Sequence, residues 1–164
     1  MAGKFALIVG NSRYNDDSLG RLKAPEIDVH ELESVLKSPE VGRFDEVITL
    51  LNQDGASVRK AIARFYDQRQ RDDLLLLYFS GHGVKDEQGH LYLALRDTES
   101  RLLAGSAIET AFITERMDRS FSKRQVLNSD CSAWAPPTRV EKLSSRSAYP
   151  QINMPPRSYW ICCT

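Results

Sequence analysis

The feature that most constrains this fold is an apolar run that ends in a glycine-flanked histidine. The segment Asp73–Phe79 is the most apolar of the chain, and Ser80-Gly81-His82-Gly83 follows it directly. A strand with apolar residues on both faces must be covered on both sides, as central strands of parallel sheets are. The run therefore predicts the central strand of an α/β sheet, with His82 just beyond its end.

Strand-like and helix-like segments alternate around this run up to about Asp130. This alternation is typical of a parallel sheet with helices on both faces. Short apolar runs predict strands at Lys4–Gly10, Glu46–Leu51, Asp73–Phe79, Gly89–Ala94 and Gln125–Ser129. Helical spacing of apolar residues predicts helices at Ala24–Lys37, Ala56–Arg71 and Ile108–Arg119. The buried faces predicted for the first two helices are Ile27, Leu32, Val35 and Leu36, and Val58, Ile62 and Phe65.

Length and charge exclude several classes of protein. The 164 residues suffice for one domain with a core but not for two ordinary domains. Because 22 basic residues balance 22 acidic ones, no basic field favours a nucleic-acid or membrane partner. No apolar run has membrane-spanning length, and the N-terminus lacks a secretory signal pattern. Three cysteines do not form a disulfide framework, so we expect a reducing, cytoplasmic location.

The sequence changes character after Cys131. Five of the seven prolines lie there, whereas Glu141 is the only acidic residue, and no helical or alternating period is evident. Such composition is typical of loops or of chain that does not fold into a core. We predict a domain at residues 1–131 followed by an irregular, Pro/Ser-rich tail at residues 132–164.

His82 is the first candidate catalytic residue. Ligands of parallel α/β sheets bind beyond the carboxyl ends of the strands, where we expect His82 to lie. Imidazole exchanges a proton near neutral pH, and the flanking glycines leave room for a substrate backbone. The alternative is a surface-loop histidine whose glycines serve only the turn.

Cys131 is the candidate nucleophile, because it follows the predicted strand Gln125–Ser129. If the two strands are neighbours, sulfur and imidazole can meet, and an imidazolium favours the reactive thiolate. The alternative is an inert, buried thiol. Neither a C-x-x-C zinc pattern nor a phosphate-binding glycine loop is present, and the adjacent Cys162 and Cys163 suit one tetrahedral ion poorly. We expect no metal and no cofactor.

Five segments together resemble one family. They are ALIVGNSRY, LKAPEIDVHELESVL, DLLLLYFSGHG, GHLYLALRDT and RQVLNSDCS. In this order they are similar to the caspase-like cysteine peptidases (peptidase C14), within them the bacterial caspase-like and metacaspase branch. The resemblance implies a three-layer α/β sandwich with a mostly parallel sheet, whose C-terminal part is incomplete here.

The resemblance also implies an activity and roles for single residues. The activity is hydrolysis of protein or peptide substrates after Arg or Lys by a His–Cys dyad. His82 would be the general base and Cys131 the nucleophile, and the N–H of Gly83 would bind the oxyanion. An acidic pocket would receive the basic side chain through Asp28, Ser80 and Asp130, because carboxylates pair with cations. Effector domains would be fused to, or associated with, a full-length parent.

The cysteine strand departs from the family pattern. An ungapped match gives Asp130 the family aspartate and puts Ser132, not Cys131, at the position of the catalytic cysteine. A one-residue slip moves a strand side chain to the other face of the sheet. The alternative is therefore an inactive caspase-like domain, either a binding or scaffold module or a remnant. The changed tail suggests truncation or a frame-shift, and no acidic cluster can be assigned to the calcium common in the metacaspase branch.

Overall fold

A computed structural model describes the backbone of residues 2–134 and 158–162 and the side chains of residues 2–131. The strands are β1 (Lys4–Gly10), β2 (Glu46–Leu51), β3 (Leu74–Lys85), β4 (Leu91–Leu93), β5 (Ile108–Glu109), β6 (Arg124–Trp134) and β7 (Ser158–Cys162). The helices are α1 (Ala24–Lys37), α2 (Gly55–Tyr66), α3 (Leu103–Ser106) and α4 (Thr110–Arg119). No helix in this part of the chain has the length and apolar character needed to cross a bilayer.

The sheet is built around β3. β1 and then β4 pair along one side of β3, whereas β6 pairs along the other. β2 extends the sheet beyond β1, and β7 extends it beyond β6. These pairs are parallel except those of β4 with β3 and β5. The prediction of a mostly parallel sheet with Asp73–Phe79 at its centre is confirmed.

Helices cover both faces of the sheet, as the alternating pattern predicts. One face packs on α2 and α4 through alternate residues of β3, including Leu75, Leu77 and Phe79. The other face packs on α1, where Val29 contacts a smaller cluster that includes Ile8. The apolar sequence of β3 is therefore explained by cores on both of its faces.

The predicted face of α1 is wrong in part. Ile27 is 57% exposed and Val35 is 48% exposed, whereas Leu36 is buried and Leu32 packs against the core. The stripe that meets the sheet runs through positions 25, 29, 32 and 36, which keeps a helical spacing but starts at Pro25. For α2 the predicted residues Val58, Ile62 and Phe65 are buried, which confirms that face.

The observed ends of three elements, β3, α2 and α4, differ from the predicted ones. β3 runs to Lys85, so His82 lies inside a strand and not beyond its end, because β4 and β6 both pair with this stretch. α2 ends at Tyr66 because Asp67 is extended and Gln68 has a positive φ of 53°. The two residues before α4 pair with β4, so that helix begins at Thr110 and not at Ile108.

The tail contains a strand that its composition does not predict. Residues 158–162 form β7 in parallel pairing with β6, although the whole of 132–164 was expected to be irregular. The sequence SYWIC has the aromatic and β-branched residues that favour strands. β6 itself continues past residue 131 to Trp134. The remainder of the predicted tail, residues 135–157 with 163 and 164, lies outside the described residues.

Candidate active site

His82 is held in a defined orientation on β3. It is only 7% exposed, and its Nε2 lies 2.7 Å from the carbonyl oxygen of Gly20. Its backbone N–H donates to the hydroxyl of Tyr14 at 3.0 Å, and the two rings lie 5.0 Å apart at their centroids. The loop between β1 and α1 therefore contacts both the backbone and the ring of His82.

The contact with Gly20 selects one tautomer of the imidazole. A carbonyl oxygen can only accept a hydrogen bond, so Nε2 of His82 carries the proton. In the neutral ring the lone pair then belongs to Nδ1. Nδ1 is thus the atom through which His82 can take a proton from a nucleophile.

Tyr14 binds the backbone of β3 just beyond the point where its pairing with β1 ends. β1 stops at Gly10, and the hydroxyl of Tyr14 accepts from the His82 N–H while donating to the Asn11 carbonyl at 2.8 Å. Burial raises the pKa of the Tyr14 hydroxyl, so it remains protonated at neutral pH. Sequence reasoning missed Tyr14 and Gly20, whose only sequence signal is their place just after a predicted strand.

The predicted acidic pocket residues lie near one another. The Ser80 hydroxyl donates to Oδ2 of Asp28 at 3.0 Å, and Ser80 itself is 2% exposed. Asp130 is the direct partner of Ser80 in the pairing of β3 with β6. Ser80 and His82 are two residues apart on β3, so they share a face of the sheet. Two half-buried carboxylates therefore flank Ser80 on the same face as the imidazole.

Cys131 leaves the sheet on the opposite face. It pairs with Gly81, whereas the residue paired with His82 is Ser132. A methyl group added at Gly83 would lie 3.1 Å from Cβ and 3.4 Å from Sγ of Cys131. Cys131 also packs against the core beneath α2 and α4. Since side chains alternate along a strand, this register directs sulfur and imidazole to different faces.

The backbone N–H of Gly83 faces the strand that carries Cys131. The N–H of His82 turns to Tyr14 on the β1 side of β3, and successive N–H groups alternate in direction along a strand. The N–H of Gly83 therefore points towards β6, where the register pairs Gly83 with Ala133. In this register the N–H of Gly83 therefore faces the paired backbone of β6 and not an open site.

Metal ligands do not assemble in the described residues. Within 2–134 and 158–162, no group of three or more His, Cys, Asp or Glu side chains is arranged to hold an ion. Among these described residues, no set of carboxylates has the arrangement that a calcium ion needs.

A profile of the caspase domain (peptidase C14) matches residues 3–143 of this chain. The chain belongs to the caspase domain family. The human mucosa-associated lymphoid tissue lymphoma translocation protein 1 is 32% identical to this chain over 83 residues. That match covers 51% of this chain but only 9% of the human protein.

Solved structures share the caspase domain fold. Protein GSU0716 from Geobacter sulfurreducens has a TM-score of 0.62 at 22% identity, covering 79% of this chain and 50% of that one. Caspase-1 from Spodoptera frugiperda has a TM-score of 0.60 at 14% identity, covering 98% of this chain and 58% of that one. The predicted caspase-like α/β fold is confirmed, and this chain spans between half and three fifths of these two structures.

Proposed function

We propose that this caspase domain is the catalytic portion of a cysteine endopeptidase that cleaves proteins or peptides after Arg or Lys. The observation that carries the proposal is the face of β3 that holds both His82 and Ser80. There the imidazole is oriented by Gly20, and the Ser80–Asp28 hydrogen bond lies two residues away. Membership of the caspase domain family supports the same chemistry.

In the proposed reaction Sγ of Cys131 attacks the scissile carbonyl carbon. Nδ1 of His82 takes the thiol proton and gives it to the leaving amine as the C–N bond breaks. Peptide N–H groups at Gly83 and Cys131 bind the oxyanion of the tetrahedral intermediate. Water, deprotonated by His82, then hydrolyses the thioester and frees the thiol.

The acidic pair accounts for the proposed specificity. A Lys or Arg side chain that enters beside Ser80 would meet Asp28 from α1 and Asp130 from β6. Charge-assisted hydrogen bonds to two carboxylates favour such a side chain over neutral or acidic ones. A guanidinium can engage a carboxylate with two parallel N–H donors, which favours Arg over Lys.

The proposed role of Cys131 requires a local change in the pairing of β6. A bulge in β6 before Cys131 would leave one residue of that strand without its own partner on β3. The side chain of Cys131 would then turn to the face of His82, because side chains alternate between the two faces along a strand. The described register instead sets Ser132 opposite His82. This register favours a second candidate function, a domain that binds basic peptides without cleaving them.

Hydrolysis of fluorogenic peptides that end in Arg, Lys or Asp tests the proposal. The native chain is compared with His82→Ala, Cys131→Ala and Ser132→Ala. Cleavage after Arg or Lys that is lost in both the His82 and Cys131 variants supports the peptidase. A folded native chain that cleaves no faster than these variants, but retains labelled Arg peptides in a polarisation assay, supports the binding domain.

We also propose that this domain acts in the cytoplasm as part of a longer polypeptide or with associated effector domains. The human relative supports the second point, because its matched region is a small part of its own length. Fractionation of cells with an antibody to this domain, followed by size analysis on a denaturing gel, tests both points.

A further inference from the structure

The orientation of His82 depends on the β1–α1 loop, residues 11–23, which carries Gly20. Gly20 is exposed, and apart from its two neighbours in the chain no residue has an atom within 4 Å of the place where its side chain would begin. Local packing against Gly20 therefore does not fix the carbonyl that binds Nε2 of His82. Other residues of the loop must hold that carbonyl in place.

Asp16 ties the loop to a distant segment of the chain. Its Oδ1 accepts from the backbone N–H of Ser18 at 2.9 Å and from the Ser18 hydroxyl at 2.6 Å. Its Oδ2 accepts from the backbone N–H of Ser100 at 2.7 Å, across 84 positions of sequence. The hydroxyl oxygens of Ser18 and Ser100 lie 2.9 Å apart. One carboxylate thus joins the loop to the turn that precedes α3.

Apolar and backbone contacts place Gly20 close to this anchor. Leu19 is 3% exposed and packs with Val84 and Ala94, next to His82 in the sheet. The N–H of Leu19 donates to the Asp16 carbonyl at 3.0 Å, and the N–H of Leu22 donates to the Ser12 carbonyl at 3.0 Å. Gly20 therefore lies between two residues whose backbone N–H groups are hydrogen-bonded within the loop, Leu19 and Leu22. The partner of Leu19 is the backbone carbonyl of Asp16.

We infer that Asp16 and the Ser100 backbone form a clamp that positions His82, by holding the Gly20 carbonyl against Nε2 so that the lone pair stays on Nδ1. Neither clamp residue touches the imidazole, so both act as positioning residues through Gly20. The consequence for catalysis rests on the proposed peptidase function, whereas the effect on the imidazole does not.

A carboxylate suits this clamp better than an amide. Three donors converge on Asp16, and an ionised carboxylate offers only acceptors. The same hydrogen bonds, those from Ser18 first, hold the pKa of Asp16 well below its ordinary value, so it is ionised at neutral pH. An asparagine would present an N–H₂ group to one of these donors.

Nitrogen-15 NMR of the histidine rings tests the clamp without reference to catalysis. The chain has three histidines, and His82→Gln assigns the signals of His82. We expect the native chain and the control Asp17→Ala to show the Nε2–H tautomer with a slowly exchanging proton. Asp17 is the exposed neighbour of Asp16. In Asp16→Ala we expect mixed tautomers and proton exchange about tenfold faster, since one hydrogen bond is weakened.

Signals of His82 in folded Asp16→Ala that match those of Asp17→Ala would overturn the inference. If Asp16→Ala does not fold, Asp16→Asn carries the test, because it keeps one acceptor and nearly the same volume. Peptide hydrolysis separates the two proposals. If the native chain cleaves, the clamp predicts a lower kcat in Asp16→Asn with KM unchanged. If it does not cleave, the peptidase proposal fails while the NMR result still decides the clamp.

Discussion

His82 and Cys131 lie on neighbouring strands, but their side chains leave the sheet on opposite faces. The pairing of β3 with β6 sets Gly81, not His82, opposite Cys131. A His–Cys dyad needs hydrogen-bond reach between imidazole and sulfur. The register of one strand pair therefore decides whether the imidazole of His82 and the thiol of Cys131 can reach each other.

The first prediction concerns the imidazole. We expect His82→Ala to lower kcat/KM for Arg peptides by about 10²–10⁴-fold, because proton transfer through Nδ1 is lost. His90→Ala is the matched control, since His90 is exposed and pairs with Asp86 at 2.9 Å. Equal rates for the two variants would contradict a role for His82 in proton transfer.

The second prediction moves the thiol by one residue. In the double variant Cys131→Ala, Ser132→Cys, the thiol occupies the register position opposite His82 and needs no bulge. We expect this variant to cleave Arg peptides at least about tenfold faster than Cys131→Ala alone, because an imidazole favours the thiolate. Hydrolysis assays with fluorogenic peptides measure both rates. A double variant as slow as Cys131→Ala would show that residue 132 is out of reach of the imidazole.

The third prediction concerns the acidic pocket. We expect Asp28→Asn to weaken the binding of a labelled Arg peptide by about tenfold, equal to about 1.4 kcal/mol, because a charge-assisted hydrogen bond is lost. Polarisation measures binding whether or not the peptide is cleaved. Glu31→Gln, an exposed change on the same helix, is expected to leave the affinity unchanged. An equal loss in both variants would indicate a general charge effect and not a pocket.

The fourth prediction concerns the close approach of Gly83 to Cys131. We expect Gly83→Ala to lower the free energy of unfolding by about 1–3 kcal/mol, because its methyl group would crowd Cys131 at 3.1 Å and Leu91 at 3.3 Å. Urea denaturation measures the change. Gly20→Ala, which meets open space, is expected to stay within about 0.5 kcal/mol of the native chain. The reverse order of stabilities would contradict the described register.

The fifth prediction concerns acid. Hydrogen bonds from Ser18 and Ser100 lower the pKa of Asp16 in the folded chain. A carboxyl whose pKa is lowered by folding stabilises the fold at pH values above its pKa in the unfolded chain, which is about 3.9 for aspartate. This contribution is lost as the pH falls from there through the lower pKa of the folded chain. We therefore expect the urea midpoint of the native chain to exceed that of Asp16→Asn by the largest amount near pH 6. This difference should shrink below about pH 4. A difference that does not change with pH would contradict the charged clamp.

Much of the fold follows from local pattern. β1, α1 and β2 have the predicted ends because an apolar run or a helical period is legible in a short window of sequence. The central place of β3 follows from its composition, since only a strand covered on both faces is so uniformly apolar. The end of β3 could not be predicted, because it depends on partners whose pairing continues past Phe79.

In the candidate site, too, local pattern predicts some features, whereas others depend on the folded chain. The motif around His82 and the residue Asp130 are legible in the sequence because each follows an apolar run, whereas Asp28, inside α1, was indicated only by the family resemblance. The Gly20 carbonyl on Nε2 is not legible, because a loop that crosses 62 positions of sequence makes that contact. No local pattern records which backbone oxygen a folded loop presents.

By itself the sequence determined the order of the main strands and helices from β1 to β6, though not α3, β5 or β7, together with the central strand and the types of residue available for chemistry. Only the tertiary structure decided which face of the sheet each of these residues occupies. The physical reason is the two-residue period of a strand: a shift of one residue between β3 and β6 exchanges Cys131 for Ser132 beside His82. That shift depends on contacts between strands about fifty residues apart.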